Sequence, residues 1–285
     1  MAVYKRGYQR YQGKFEGRWT RFLVMPRFSW ERMFRQRLVF LFLVAAMVWP
    51  LLCVAYVYLS NNAELLKEIP VAGDLLEISD GFFMTFMSVQ KIFAVFLAAL
   101  TGPGLIAPDL TNNALALYFS RPLTRLDYVT GKLAALTGLL SLITWIPGLA
   151  VFFMQSAMAG GGWGTANLRL GVGLFAGFLL WIFLVALVAL TSSAWVKLRV
   201  IAGGLVLGFF FVFSGISAMV NGIFRHTWGY LLDPSWLVNR MVHAIVGTDT
   251  PDVPDATAAV SAFFVILFLF VLILERKLRP VEVVS

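Results

Sequence analysis

The sequence predicts an all-α integral membrane protein with six transmembrane helices, and three observations carry that prediction. Hydrophobic residues make up 60% of the chain and charged residues only 13%, with a mean hydropathy of +0.81; soluble domains average about 25% charged residues. Apolar runs about 20 residues long recur along the chain, each long enough to cross a bilayer as a helix. They lack the strict alternation of barrel strands, and only helices or closed barrels satisfy the backbone in lipid. Finally, the basic residues fall unevenly on alternate connecting segments.

The spans are expected at about 38–59, 82–106, 133–154, 170–195, 200–220 and 258–274. With the N-terminus inside, the inner segments hold 18 of the 23 Lys and Arg residues, the outer segments hold four (Lys67, Arg169, Arg225, Arg240), and Lys91 lies within a span. The outer segments also hold nine of the 15 acids. This positive-inside bias predicts a multi-pass protein of the cell (inner) membrane with both termini cytoplasmic. Three regions follow: a basic tail and interfacial helix over 1–37, a six-helix domain over 38–279 and a short tail over 280–285.

Residues 1–37 carry ten basic and two acidic side chains, a surplus equal to the whole net charge of +8. That charge flanks a span, so orientation and anionic headgroups account for it and no nucleic-acid partner is implied. The first apolar run starts near Leu38, too far in and too long for a cleavable signal. Tyr11 to Trp19 alternates with period two and is expected to be extended. Pro26 suits a first helical position. After it Trp30, Met33, Phe34 and Leu38 share one helical face, and Arg27, Glu31, Arg32 and Arg35 share the other. This predicts an amphipathic interfacial helix leading into span one.

Within the spans, Pro50 and Pro147-Gly148 predict kinks. Gly173/Gly177 and Gly204/Gly208 are Gly-x-x-x-Gly steps that suit either internal packing or a dimer contact. Gln90 and Lys91 are candidates for a translocation path; alternatively Lys91 snorkels to the outer interface. Between spans five and six, Asp233-Pro234 reads as an N-cap with a first-turn proline and Gly247 as a stop. Leu237, Met241 and Ile245 recur every four residues between them, which predicts a short outer helix at, or dipping into, the interface.

No catalytic or metal-binding constellation is present. Cys53 is the lone thiol and reads as a buried small residue, and His226 and His243 match no metal spacing. Gly131-Lys132 lacks the glycine and hydroxyl of a phosphate loop, since Leu126 and Leu133 occupy those positions. The chain is therefore expected to be no enzyme and to hold no cofactor of its own. The near absence of intramembrane acids argues against an ion-coupled transporter.

The segment from Thr101 to Lys132 stands apart. Gly102-Pro103-Gly104 breaks a helix, and Thr111-Asn112-Asn113 is placed to cap a short helix running to about Phe119. Pro122 interrupts the chain, and Thr124 with Asp127 three residues on forms a capping signature that leads into span three. The pattern predicts a helix-turn-helix elbow at the cytoplasmic surface. It suits either docking of a partner or a membrane re-entry anchored by Arg121 and Arg125.

The order acid, apolar helix, Ser120-Arg121-Pro122-Leu123-Thr124-Arg125, then Tyr128-x-x-Gly131-Lys132-Leu133 resembles the permease subunits of type-two ABC exporters. The motif likeness covers 105–133, and the layout likeness covers 26–279. Many members place a Glu and a Gly-Thr pair where this chain has Pro108 to Asn113. The resemblance implies that the elbow is a coupling helix that docks on a separate ABC ATP-binding subunit, which carries the ATP and Mg. It implies that Asp109, Tyr118, Ser120, Arg121, Pro122, Arg125, Asp127 and Lys132 form or brace that dock, with Gly131 beside them. It further implies a second permease subunit, surrounding membrane lipids and ATP-driven export. The alternative is a membrane anchor or assembly subunit that holds a cytoplasmic complex without transporting anything.

Overall fold

A computed structural model describes residues 18–62, 78–112, 114, 124–248 and 254–277. Helices α1 (Arg18–Phe34) and α2 (Arg37–Asn61) open the chain. Helix α3 (Asp80–Thr101), a 3-10 turn (Gly102–Gly104) and α4 (Ala107–Thr111) follow, then α5 (Arg125–Ser141), α6 (Trp145–Ala159) and the short α7 (Trp163–Ala166). Helices α8 (Leu168–Trp195) and α9 (Arg199–Phe224), a 3-10 turn (Trp228–Leu232), α10 (Pro234–Val246) and α11 (Ala256–Lys277) complete it. Among the described residues there is no strand. Six units are long and apolar enough to cross a membrane: Arg37–Asn61, Asp80–Thr111, Arg125–Ala159, Leu168–Trp195, Arg199–Phe224 and Ala256–Lys277. The chain is thus an all-α protein of the integral membrane class.

Helix α8 is the hub. In its most apolar stretch 67% is buried, against 28% for α2 and α9 and 17% for α11. It packs on α3, α5, α6, α9, α10 and α11. Small residues admit these neighbours. A Cβ at Gly102 would lie 2.6 Å from the Ala189 Cβ, and one at Gly173 would lie 3.0 Å from Val246. A Cβ at Gly177 would collide with Val242. The Gly173/Gly177 step therefore serves internal packing, with α10 seated on it.

Hydrogen bonds across the bundle fix which helix ends meet. Ile106 and Ala107 donate their amides to Ser193 Oγ, which brings the end of span two to the end of span four. Trp195 Nε1 donates to the Ile273 carbonyl at 3.4 Å, so the end of span six joins them. Asn61 Nδ2 donates to Gln155 Oε1 at 2.7 Å, which places the ends of spans one and three together. One end of the bundle thus collects Arg37, Arg125, Lys197, Arg199 and Lys277, and is called the basic end.

Span three breaks where Pro147 predicts. Pro147 has no N–H to offer the Ile143 carbonyl. The chain tightens there into i→i−3 bonds, Leu142 to Leu139, Ile143 to Leu140 and Thr144 to Ser141. Helix α2 runs unbroken through Pro50. The turn after α6 uses Gly160, Gly161 and Gly162 at φ +60°, +57° and +82°, a region that favours glycine.

The amino-terminal reading needs correction. Pro26 is not a first helical residue, because α1 begins at Arg18 and holds Pro26 in its interior. Packing of Met25 and Trp30 against α5 overrides the local preference. Of the stretch expected to be extended over 11–19, Arg18 and Trp19 are helical and the remainder lies outside the described residues. So does the 280–285 tail.

Gly203 and Gly204 give a test of this packing. A Cβ at Gly203 would stand 2.6 Å from the Ala99 carbonyl oxygen, whereas one at Gly204 meets nothing within 4 Å. Gly203→Ala should destabilise the protein by about 1–3 kcal/mol. Gly204→Ala should stay within about 0.5 kcal/mol of wild type. Unfolding in detergent micelles separates the two.

Candidate functional site

The described part of the elbow is held at both ends by buried polar chemistry. On the span-two side, α4 has no side-chain cap of its own. Ser193 of α8 takes that role, accepting from the amides of Ile106 (3.1 Å) and Ala107 (3.0 Å) and donating to the Pro103 carbonyl at 3.1 Å. These are orphan groups that a helix start must place somewhere. Thr111 ends α4 with its hydroxyl donating to the Ala107 carbonyl.

On the span-three side the capping expectation matches the geometry. Thr124 Oγ1 accepts from the Asp127 amide at 3.1 Å, and Asp127 Oδ2 accepts from the Thr124 amide at 3.0 Å. This reciprocal box fixes where α5 begins. Arg125 and Leu126 beside it are exposed, Leu126 at 76%.

Between these ends lies a buried cluster. Asp109 Oδ2 accepts from Tyr128 Oη at 2.8 Å and pairs with Lys132 Nζ at 2.9 Å. The Lys132 ammonium also sits 5.4 Å from the centroid of the Tyr128 ring. Tyr128 and Lys132 are four apart on α5 and share a face. Tyr128 is 0% exposed, Lys132 7% and Asp109 8%. Asp109 and Lys132 thus face inward and tie α4 to α5.

Gly131, one residue before Lys132, faces α1. A Cβ there would lie 2.9 Å from Met25 Cβ, and one at Gly138 would lie 2.5 Å from Trp30 Cζ2. Two glycines seven apart form the slot that seats α1, and Trp30 Nε1 closes it by donating to the Ala135 carbonyl at 2.7 Å. Tyr118, Ser120, Arg121 and Pro122, together with the helix expected up to Phe119, lie outside the described residues.

The second polar centre is Lys91, 1% exposed inside span two. Its ammonium donates to Asn239 Oδ1 at 2.7 Å, Ser235 Oγ at 2.8 Å and the Ser235 carbonyl at 3.1 Å. It also stands 5.1 Å from the Trp181 ring centroid, and Trp181 Nε1 donates to the Lys91 carbonyl at 3.1 Å. Asp233 continues the network, accepting from the Ser235 amide and from Ser214 Oγ. Lys91 therefore reaches the first turn of α10, and the chain of bonds links α3, α8, α9 and α10. Gln90 is fully buried and donates to the Ala46 carbonyl at 3.2 Å, while its Oε1 has no hydrogen-bond partner among the described residues.

Asp233, Pro234 and Gly247 hold the capping roles expected of them in α10. Its inward face is Leu237, Val238, Met241 and Val242; Ile245 is only half-buried. His243 Nδ1 lies 2.6 Å from Thr248 Oγ1. Burial, then the Arg240 charge, pushes its imidazole below the usual histidine range, against the pull of Asp80. Among the described residues no three His, Cys, Asp or Glu side chains gather as a metal site. The sequence reading missed Ser193, Trp181, Ser235 and Asn239. The signal for the last two was a pair of polar residues four apart beside an apolar stripe. No protein-family model matches the chain, and no curated protein matches it.

The two centres respond differently to substitution. Asp109→Asn leaves Lys132 buried without its counter-charge and should cost about 3–5 kcal/mol. Adding Lys132→Met should return most of that loss, because the uncompensated charge goes with it; a double-mutant cycle by chemical unfolding reads this out. Lys91→Met should cost about 1–3 kcal/mol by stranding the Ser235 and Asn239 oxygens. It should also make the 225–248 segment more susceptible to limited proteolysis, while the Asp109 variants leave that segment protected.

Proposed function

We propose that this chain is the membrane-spanning permease subunit of an ATP-driven ABC transporter, coupled to a separate ATP-binding subunit through the 107–132 elbow. The observation that carries the reading is the double anchoring of that elbow. Asp109, Tyr128 and Lys132 join its two limbs in the interior, and the Thr124–Asp127 box sets where the second limb starts. A segment braced in this way at the basic end passes a push on its tip directly to α3 and α5. Ser193 extends the connection to α8, and the Gly131/Gly138 slot extends it to α1.

In this reading Arg121 and Arg125 are the docking cations, with Tyr118, Ser120 and Pro122 shaping the tip. Asp109, Asp127 and Lys132 brace it from within. The basic end is cytoplasmic by its charge, and the membrane is the cell inner membrane. The partner subunit binds ATP and Mg, and must bind one arrangement of the bundle better than the other to shift it. A second permease subunit completes the path. The open side of α9, where Cβ atoms at Gly204, Gly208, Gly215 and Gly222 would meet nothing within 4 Å, leaves room for a close neighbour. Gln90 and Lys91 are buried within the chain. Their bonds suit holding α10 in place while the spans move.

The test is co-purification of the detergent-solubilised protein with its candidate ATP-binding subunit. Wild type should retain the partner, and Arg121→Glu/Arg125→Glu should insert normally and lose it. Equal retention by both would remove the elbow as the dock. Absence of any ATP-binding partner would favour the alternative of a non-transporting anchor for a cytoplasmic complex.

A further inference from the structure

The junction between α1 and α2 carries a second site, independent of the permease reading. The helix ends at Phe34 and restarts at Arg37, with Gln36 in extended conformation between them (φ −83°, ψ 115°). The break opens a cleft of about 370 Å³ lined by Phe34, Arg35, Arg37, Phe40 and Leu41. Its size lies within the range of small-molecule sites, roughly 300–1,000 Å³.

The cleft has two chemistries in fixed order. Its rim is cationic. Arg35 shares its charge with Glu31 at 2.8 Å, and the Arg37 side chain has no polar partner among the described residues. Its wall is apolar: Phe40 is 56% and Leu41 63% exposed, on the span with a mean hydropathy of 2.7. Arg37 is the first residue of that span, so the step from cation to hydrocarbon-facing side chains occurs within one helical turn. A free phosphate would use only the rim, and a neutral lipid only the wall.

We propose that this cleft binds one anionic glycerophospholipid. Arg35 and Arg37 take the headgroup phosphate, through the charge-assisted bonds that guanidinium forms with phosphate. Phe34, Phe40 and Leu41 receive the upper part of an acyl chain. Because Phe34 belongs to α1 and Phe40 and Leu41 to α2, the lipid staples the two helices together. Helix α1 in turn lies on α5 through Trp30, so occupancy bears on the helix that leaves the elbow.

The experiment titrates the purified full chain, in a neutral detergent, with phosphatidylglycerol, phosphatidylcholine or inorganic phosphate and follows thermal unfolding. Phosphatidylglycerol alone should stabilise the wild type. Arg35→Gln/Arg37→Gln should need about 25-fold more of it, from roughly fivefold per lost cation. Lys197→Gln/Arg199→Gln, which removes two exposed charges from the same end, should stay within about twofold of wild type. Phe40→Ala/Leu41→Ala changes exposed residues only, and should weaken the response even if the arginine pair fails to insert. Equal stabilisation by phosphatidylcholine or by phosphate, or equal loss in the Lys197/Arg199 pair, would overturn the site.

Discussion

A charge buried at bilayer depth is costly unless partners inside the protein receive it, and this cost places the joints of the fold. Among the described residues three charges are buried: Lys91, Asp109 and Lys132. Asp109 and Lys132 neutralise each other with Tyr128 alongside, and they tie span two to span three. Lys91 instead gathers three neutral oxygens from the start of α10, with the Trp181 ring and the nearby Asp233 assisting. Lipid offers no substitute for these contacts, so each cluster behaves as a fastener. Ser193 works in the same way without charge, taking up amides that the span-two break leaves unpaired.

Packing is graded around these fasteners. The most enclosed helix, α8, meets neighbours on nearly every side, and small residues at Gly173, Gly177 and Ala189 let them approach. Helices α9 and α11 are attached on one side and face outward on the other. Such a bundle has a rigid centre and an outer layer with free surface. The second subunit proposed above would meet the bundle on the open side of α9.

At the basic end the parts form one mechanical series. The elbow continues into α5, α5 carries α1 in its glycine slot, and α1 meets α2 at the arginine-rimmed cleft. In the proposals above, a force at the elbow and a lipid at the cleft would act on neighbouring links of the same chain of contacts. At the opposite end the Lys91 network secures α10. The two ends are joined through α3, which carries Lys91 and continues through the Gly102–Gly104 turn to Asp109.

The six spans, the break near Pro147, the Thr124–Asp127 box and the caps at Asp233 and Gly247 are legible in the residues alone. Each depends on local composition or on residues within a few positions of one another, and those rules act before any tertiary contact forms. Lys91 also stood out as a charge inside a span, and Asp109 and Lys132 through the family resemblance of the elbow. Only the tertiary structure decided what they do, because their partners lie far along the chain: Tyr128 is 19 residues from Asp109, and Asn239 is 148 from Lys91. The same holds for Pro26. A proline suited to starting a helix sits inside one because Met25 and Trp30 gain a slot on α5 that no local pattern announces. The two Gly-x-x-x-Gly steps read alike in sequence, yet Val242 and Val246 cover one and nothing among the described residues covers the other. Side-chain spacing gives a helix its faces, whereas the partner of each face is settled by the packing of the whole bundle.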